Sequence, residues 1–82
     1  MKVTLESTSK IVELTTRVNA LGGTFVPARI WEGHTESGIP VHCYVTRIAV
    51  ANDQNHAQFE AELRECRAPS PDVAAIPLRL IL

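Results

Sequence analysis

An α+β fold, with one helix packed on one face of an antiparallel sheet of four to five strands, is what this sequence predicts, and three observations lead there. Much of the chain alternates apolar and polar residues with the period of two expected of a half-buried strand. A polar run closing on glycine, His34-Thr35-Glu36-Ser37-Gly38, separates two segments rich in β-branched and aromatic residues, which is a hairpin pattern. Only after Val50 does the period lengthen, with Phe59, Leu63 and Cys66 recurring at i, i+4 and i+7 as a narrow helical stripe.

Taken in order, Val3 and Leu5 alternate against Lys2, Thr4 and Glu6, and Val12, Leu14 and Val18 against Glu13 and Arg17. These read as two short strands joined at Ser7-Thr8-Ser9. Asn19-Ala20-Leu21-Gly22-Gly23 supplies glycines for a reversing loop. Residues 24–33 and 39–50 form the hairpin strands. Asn52, Asp53 and Asn55 offer N-cap oxygens, and Asn55 with Gln58 has capping-box spacing. Glu60 and Arg64 make an i, i+4 pair on the wet side of the helix that follows. Ala68-Pro69-Ser70-Pro71 ends that helix, because proline lacks an amide hydrogen and pushes the preceding residue out of the α region. Residues 72–75 have room for one further helical turn. Ile76-Pro77-Leu78-Arg79-Leu80-Ile81-Leu82 is then an apolar strand, of a kind normally taken up by a sheet or an interface.

With 82 residues the chain is expected to be a single domain, residues 1–82. A domain of that size buries only roughly 60% of the surface its unfolded chain exposes. Apolar residues at 45% and charged residues at 21% are ordinary for a folded protein. The net charge of −1, from eight basic and nine acidic residues spread along the chain, gives no patch able to hold a phosphate backbone, so nucleic acid is not an expected partner. The first ten residues interrupt any apolar run with Thr, Glu and Ser, and no apolar stretch approaches membrane-spanning length. The expectation is a cytoplasmic protein with no membrane association. Its two cysteines, Cys43 and Cys66, would stay as thiols and behave as small buried apolar residues.

Side chains alternate faces along a strand, so a hairpin with an even-numbered loop pairs even positions with odd ones. On that assumption Val26, Ala28 and Ile30 share a core face with Ile39, Val41, Cys43 and Val45. The opposite face gathers Phe25, Arg29 and Trp31 with His42, Tyr44 and Thr46. Ile48 and Val50 break the parity, which predicts a bulge or bend near Thr46 and Arg47. Arg29, Trp31, His42 and Tyr44 are the candidate binding residues, since aromatic side chains beside arginine are enriched at binding hot spots. Stacking on Trp31 or Tyr44, with Arg29 and His42 donating to an anionic group, suits a small planar anion such as a nucleotide. The competing reading has the same side chains packed into a second layer or a homodimer interface.

Catalytic readings find less support. His34, His42, His56, Cys43 and Cys66 show none of the C-x-x-C, H-x-x-x-H or H-E-x-x-H spacings of metal sites. No G-x-S-x-G nucleophile motif occurs, and Gly22-Gly23 lacks the lysine and flanking elements of a phosphate loop. Glu60, Glu62 and Glu65 read as a solvated helix face. A non-enzyme without cofactor or metal is therefore expected.

The segment A-R-I-W-E-G-H-T-E-S-G-I-P-V-H-C-Y-V-T-R-I-A-V, residues 28–50, resembles small uncharacterised accessory proteins of bacteriophage and prophage gene neighbourhoods. The start E-S-T-S-K-I-V-E-L, residues 6–14, and the closing I-P-L-R-L-I-L share the likeness. The resemblance carries no assigned activity and no functional residues. It implies a bacterial or phage cytosolic setting, in which short accessory proteins often act by binding a host protein or signalling molecule. The combined expectation is a non-catalytic binding protein that self-associates, as a dimer, and recognises a host protein or a small planar anion through its aromatic sheet face. The alternative is an assembly module whose aromatic face is buried in its own oligomer.

Overall fold

A computed structural model describes residues 1–15 and 25–81. The elements run β1 (Val3–Thr15), β2 (Phe25–Thr35), β3 (Pro40–Val45), α1 (His56–Leu63), α2 (Pro71–Ala74) and β4 (Arg79–Ile81). The sheet order is β3-β2-β1-β4. β1 to β3 are antiparallel, giving the α+β class with an antiparallel sheet, while the three-residue β4 runs parallel to β1. The closing apolar segment thus joins the first strand. The loop expected at Asn19–Gly23 lies outside the described residues, as does Leu82.

The two N-terminal strands expected on either side of Ser7-Thr8-Ser9 are one strand, β1, whose register against β2 shifts between Ser7 and Ile11. The polar triplet is an irregularity within the ladder and not a break. Thr8, fully buried, donates its hydroxyl to the carbonyl oxygen of Ile30 at 2.6 Å and accepts the Lys10 amide at 3.3 Å. A side chain there does the work of a missing ladder partner for the Ile30 carbonyl and the Lys10 amide.

The hairpin corrects the expected face parity. Thr35 donates its amide to Ile39, and Gly38, at φ 89°, closes a loop of the three residues between them. Positive φ at that position favours glycine in three-residue hairpins. An odd loop pairs like parity with like: Ile30 faces Tyr44, Trp31 faces Cys43 and Glu32 faces His42. Val26, Ala28 and Ile30 therefore share their face with His42 and Tyr44, and Trp31 shares the other with Val41, Cys43 and Val45. β3 ends at Val45, with Thr46 in a bend, so Ile48 and Val50 lie beyond the strand and its alternation. Pro27 is tolerated in β2 because the β3 register stops at Arg29, leaving no neighbour to ask for its missing N–H.

Among the described residues, every buried strand residue has an even number: Thr8, Val12, Leu14, Ala28, Ile30 and Glu32. That face carries the core, closed by Val73 of α2 with Ile76 beside it. α1 begins as its sequence directs, Asn55 accepting the Gln58 amide at 3.0 Å, but none of its residues is buried. Two turns ending at Leu63 are too short for the expected stripe. Leu63 is exposed, and Cys66 lies past the helix end, also exposed. Neither cysteine is the buried apolar residue expected, Cys43 being half-buried on the open face. The helix that covers the core is α2, capped by Ser70 and started by Pro71 at its first position.

Gly33 sits opposite Leu5 and Val41 where strands come unusually close: a Cβ added there would overlap the carbonyl oxygen of Thr4. The atoms it would meet, in Thr4 and Leu5, are all backbone and cannot swing aside. Gly33→Ala should therefore lower stability by about 1–3 kcal/mol or more, read as a drop in the denaturant midpoint. An unchanged midpoint would show that β1 and β2 do not approach this closely.

Candidate functional site

Two groups of side chains stand out, one on each face of the sheet. On the core face, β2 directs Glu32 inward in register with Ala28 and Ile30, and only 8% of the residue remains exposed. Its Oε1 accepts the Ser70 amide at 2.7 Å and Arg67 Nη1 at 2.9 Å, and its Oε2 accepts the Ser70 hydroxyl at 2.8 Å. The Ser70 amide is the main cause holding the Glu32 carboxyl below the usual carboxylate range; the Ser70 hydroxyl and Arg67 act in the same direction, and burial opposes them. Arg67 is also clasped by β1: its amide donates to Ser7 O at 3.1 Å and its carbonyl accepts from Ser9 at 2.9 Å. The ion pair from Arg67 to the exposed Glu6 adds little, since water screens it.

This cluster is an anchor. Ser70 Oγ both caps α2, accepting from Val73 N at 3.4 Å, and donates to Glu32. A serine hydroxyl committed in both directions, to a carboxylate whose basicity is reduced, is a poor nucleophile and base pair. Beside it a cleft of about 240 Å³ is lined by Pro40, Val41, His42, Asp72 and Val73.

The open face carries the second group. A groove of about 170 Å³ runs beside Trp31, bordered by Arg29, Val45, Arg47, Ile48 and Leu63. Trp31 and Arg29 are half-buried, and Arg47 is exposed with no ion-pair partner among the described residues. Arg29 Nη1 donates to Thr8 O at 2.8 Å, which fixes the guanidinium over the β1 irregularity.

The four residues expected to form one site are thus divided. Arg29 and Trp31 stay together at the groove. His42 and Tyr44 lie on the opposite face, joined to each other by a 3.1 Å hydrogen bond and an edge-to-face contact at 5.4 Å between ring centres. Sequence reasoning missed Glu32, Arg67 and Ser70. The signal was present, since Glu32 is the one charged residue continuing the inward series Val26, Ala28, Ile30. It missed Arg47 because the chain after β3 was read as strand.

Among the described residues no cluster of three or more His, Cys, Asp or Glu could hold a metal ion, and no helix is long and apolar enough to cross a membrane. Compared with known proteins, the chain matches no family model, no curated protein and no solved structure.

Because the Glu32 carboxyl is harder to protonate in the folded chain than in the unfolded one, it stabilises the fold above roughly pH 5. That contribution is lost as the pH falls below about 4.5 and the unfolded state takes up the proton first. Glu32→Gln should cost about 2–3 kcal/mol at pH 7 and flatten the fall in stability between roughly pH 5 and 3. Denaturant unfolding across that range, with parallel curves for the two proteins as the contrary result, checks it.

Proposed function

We propose that this is a non-catalytic binding protein that recognises an acidic surface of a protein partner through the Trp31 groove and self-associates through its sheet. The observation that carries this reading is that the single tryptophan shares the lining of one groove with two arginines, Arg29 and Arg47, on the open face of the sheet. An aromatic ring sharing a groove with guanidinium groups is a typical hot-spot composition. Arg29 is pre-positioned by Thr8 and Arg47 is free to reach, so a carboxylate of the partner would meet one fixed and one adaptable donor.

Size favours a partner protein over a planar small molecule. Small-molecule sites usually enclose about 300–1,000 Å³, and a groove of about 170 Å³ takes one side chain, not a nucleotide. The cellular setting we infer from the resemblance is bacterial or phage cytoplasm, with a host protein as the partner. The assembly reading keeps a specific support: Trp31, Val41, Cys43 and Val45 form a half-buried apolar strip continuing to the edge strand β3.

Trp31→Ala combined with Arg47→Glu should abolish, or weaken by about tenfold or more, capture of a partner from host lysate identified by mass spectrometry with the wild-type protein. Among the described residues Arg47 makes no ion pair, so circular dichroism should show the same sheet content. Undiminished capture by the double variant would overturn the assignment of the groove. Saturable quenching of Trp31 emission by a nucleotide would replace the protein partner with a small anion.

A further inference from the structure

The two outer edges of the sheet are treated very differently. Along the outer edge of β1, Arg67 bridges at Thr8, Leu78 O accepts the Glu13 amide at 2.7 Å, and β4 completes the pairing. β4 itself is three residues long, preceded by Pro77 and begun by Arg79, features that discourage further pairing. β3 has no such cover among the described residues. The Thr35 and Ile39 bond sets the alternation, so Val41, Cys43 and Val45 direct their backbone groups to β2 while His42 and Tyr44 direct theirs outward. Neither outward pair meets a backbone partner among the described residues. The strand reads Pro-Val-His-Cys-Tyr-Val, without a lysine or a carboxylate to repel another strand.

We propose that a second copy of this chain docks antiparallel on β3, with the two-fold axis through Cys43. This rests on the self-association in the reading above and gives it a location. In that register His42 of one copy exchanges two N–H···O bonds with Tyr44 of the other, and Tyr44 two with the other His42, while Pro40, which has no N–H to offer, meets Thr46 beyond the strand end. A shift centred on His42 would instead place Pro40 opposite Tyr44 and leave a tyrosine carbonyl unmet. The chosen register sets Val41 beside Val45 and continues the apolar strip of Trp31, Cys43 and Val45 from one sheet into the next. It also brings the two Cys43 residues together as a non-hydrogen-bonded pair, with Cα atoms about 4.5 Å apart, inside the range a disulfide can bridge.

That pairing can be read directly. Cys66→Ser removes the exposed competing thiol, and the full chain at micromolar concentration is treated with diamide, which takes up the two electrons and two protons as the Cys43 thiols join. Most of the protein should run as a covalent dimer without reductant, and sedimentation without oxidant should give twice the monomer mass. His42→Pro removes an outward N–H and no bond to β2, and should weaken dimerisation by about tenfold or more; Tyr44→Lys, which places a charge on the edge, serves if the proline variant does not fold. A dimer by sedimentation that neither cross-links at Cys43 nor responds to these variants would overturn this interface while leaving self-association standing. A monomer at every concentration would overturn both, and would leave the Trp31 groove untouched.

Discussion

The Glu32 carboxylate, beside the backbone bonds of Arg67 to Ser7 and Ser9, ties the chain after the helix back to the sheet. Three donors converge on it, two from Ser70 and one from Arg67, and each bond is assisted by the charge. Without them the segment between α1 and α2 has little apolar reason to lie where it does, since α1 buries nothing and Val73 is the only fully buried residue the helices contribute. A buried charge is costly to desolvate and is kept only when its lone pairs are met. Here they are met by groups that also cap α2 and extend β1, so one anchor sets the position of the core lid and the edge together.

The consequence is a sheet with two unlike faces. The anchor and α2 close the even-numbered face, where Ile30, Val12 and Ala28 are at most 1% exposed. Among the described residues nothing equivalent closes the odd-numbered face, and Phe25, Ile11 and Val3 are 40–50% exposed there. Arg79 lies over the Phe25 ring at 4.9 Å and screens part of it, leaving the Trp31 strip as the open part nearest β3. A small core with an uncovered apolar face is the arrangement in which partner surface contributes to stability as well as to recognition.

What the sequence revealed were the local features. The hairpin, the Asn55 cap and the extra helical turn follow from neighbours within a few residues and are present, whereas β3 stops at Val45 and α1 ends at Leu63, before the prolines expected to stop it. The division of the four aromatic and basic residues was not legible, because it turns on whether the loop before Ile39 is odd or even. A one-residue difference there exchanges every side chain between faces. The irregularity in β1 was equally hidden, for Ser7-Thr8-Ser9 looks like a turn until the Thr8 hydroxyl is seen bonding across to Ile30. Glu32 could have been found by asking why a carboxylate continues an inward apolar series, but its partners lie 35 and 38 residues away and no local pattern announces them.

The most direct test of the anchor is native-state hydrogen exchange at the Arg67 and Ser70 amides, compared with Val12 and Leu14 in the core. If Glu32 holds this segment to the sheet, both amides should be protected to within about tenfold of the core amides and open only with it. Exchange at the rate of the exposed residues Asn52 to Gln54 would show the segment detaching on its own, and would contradict the dependence of fold and site on that carboxylate.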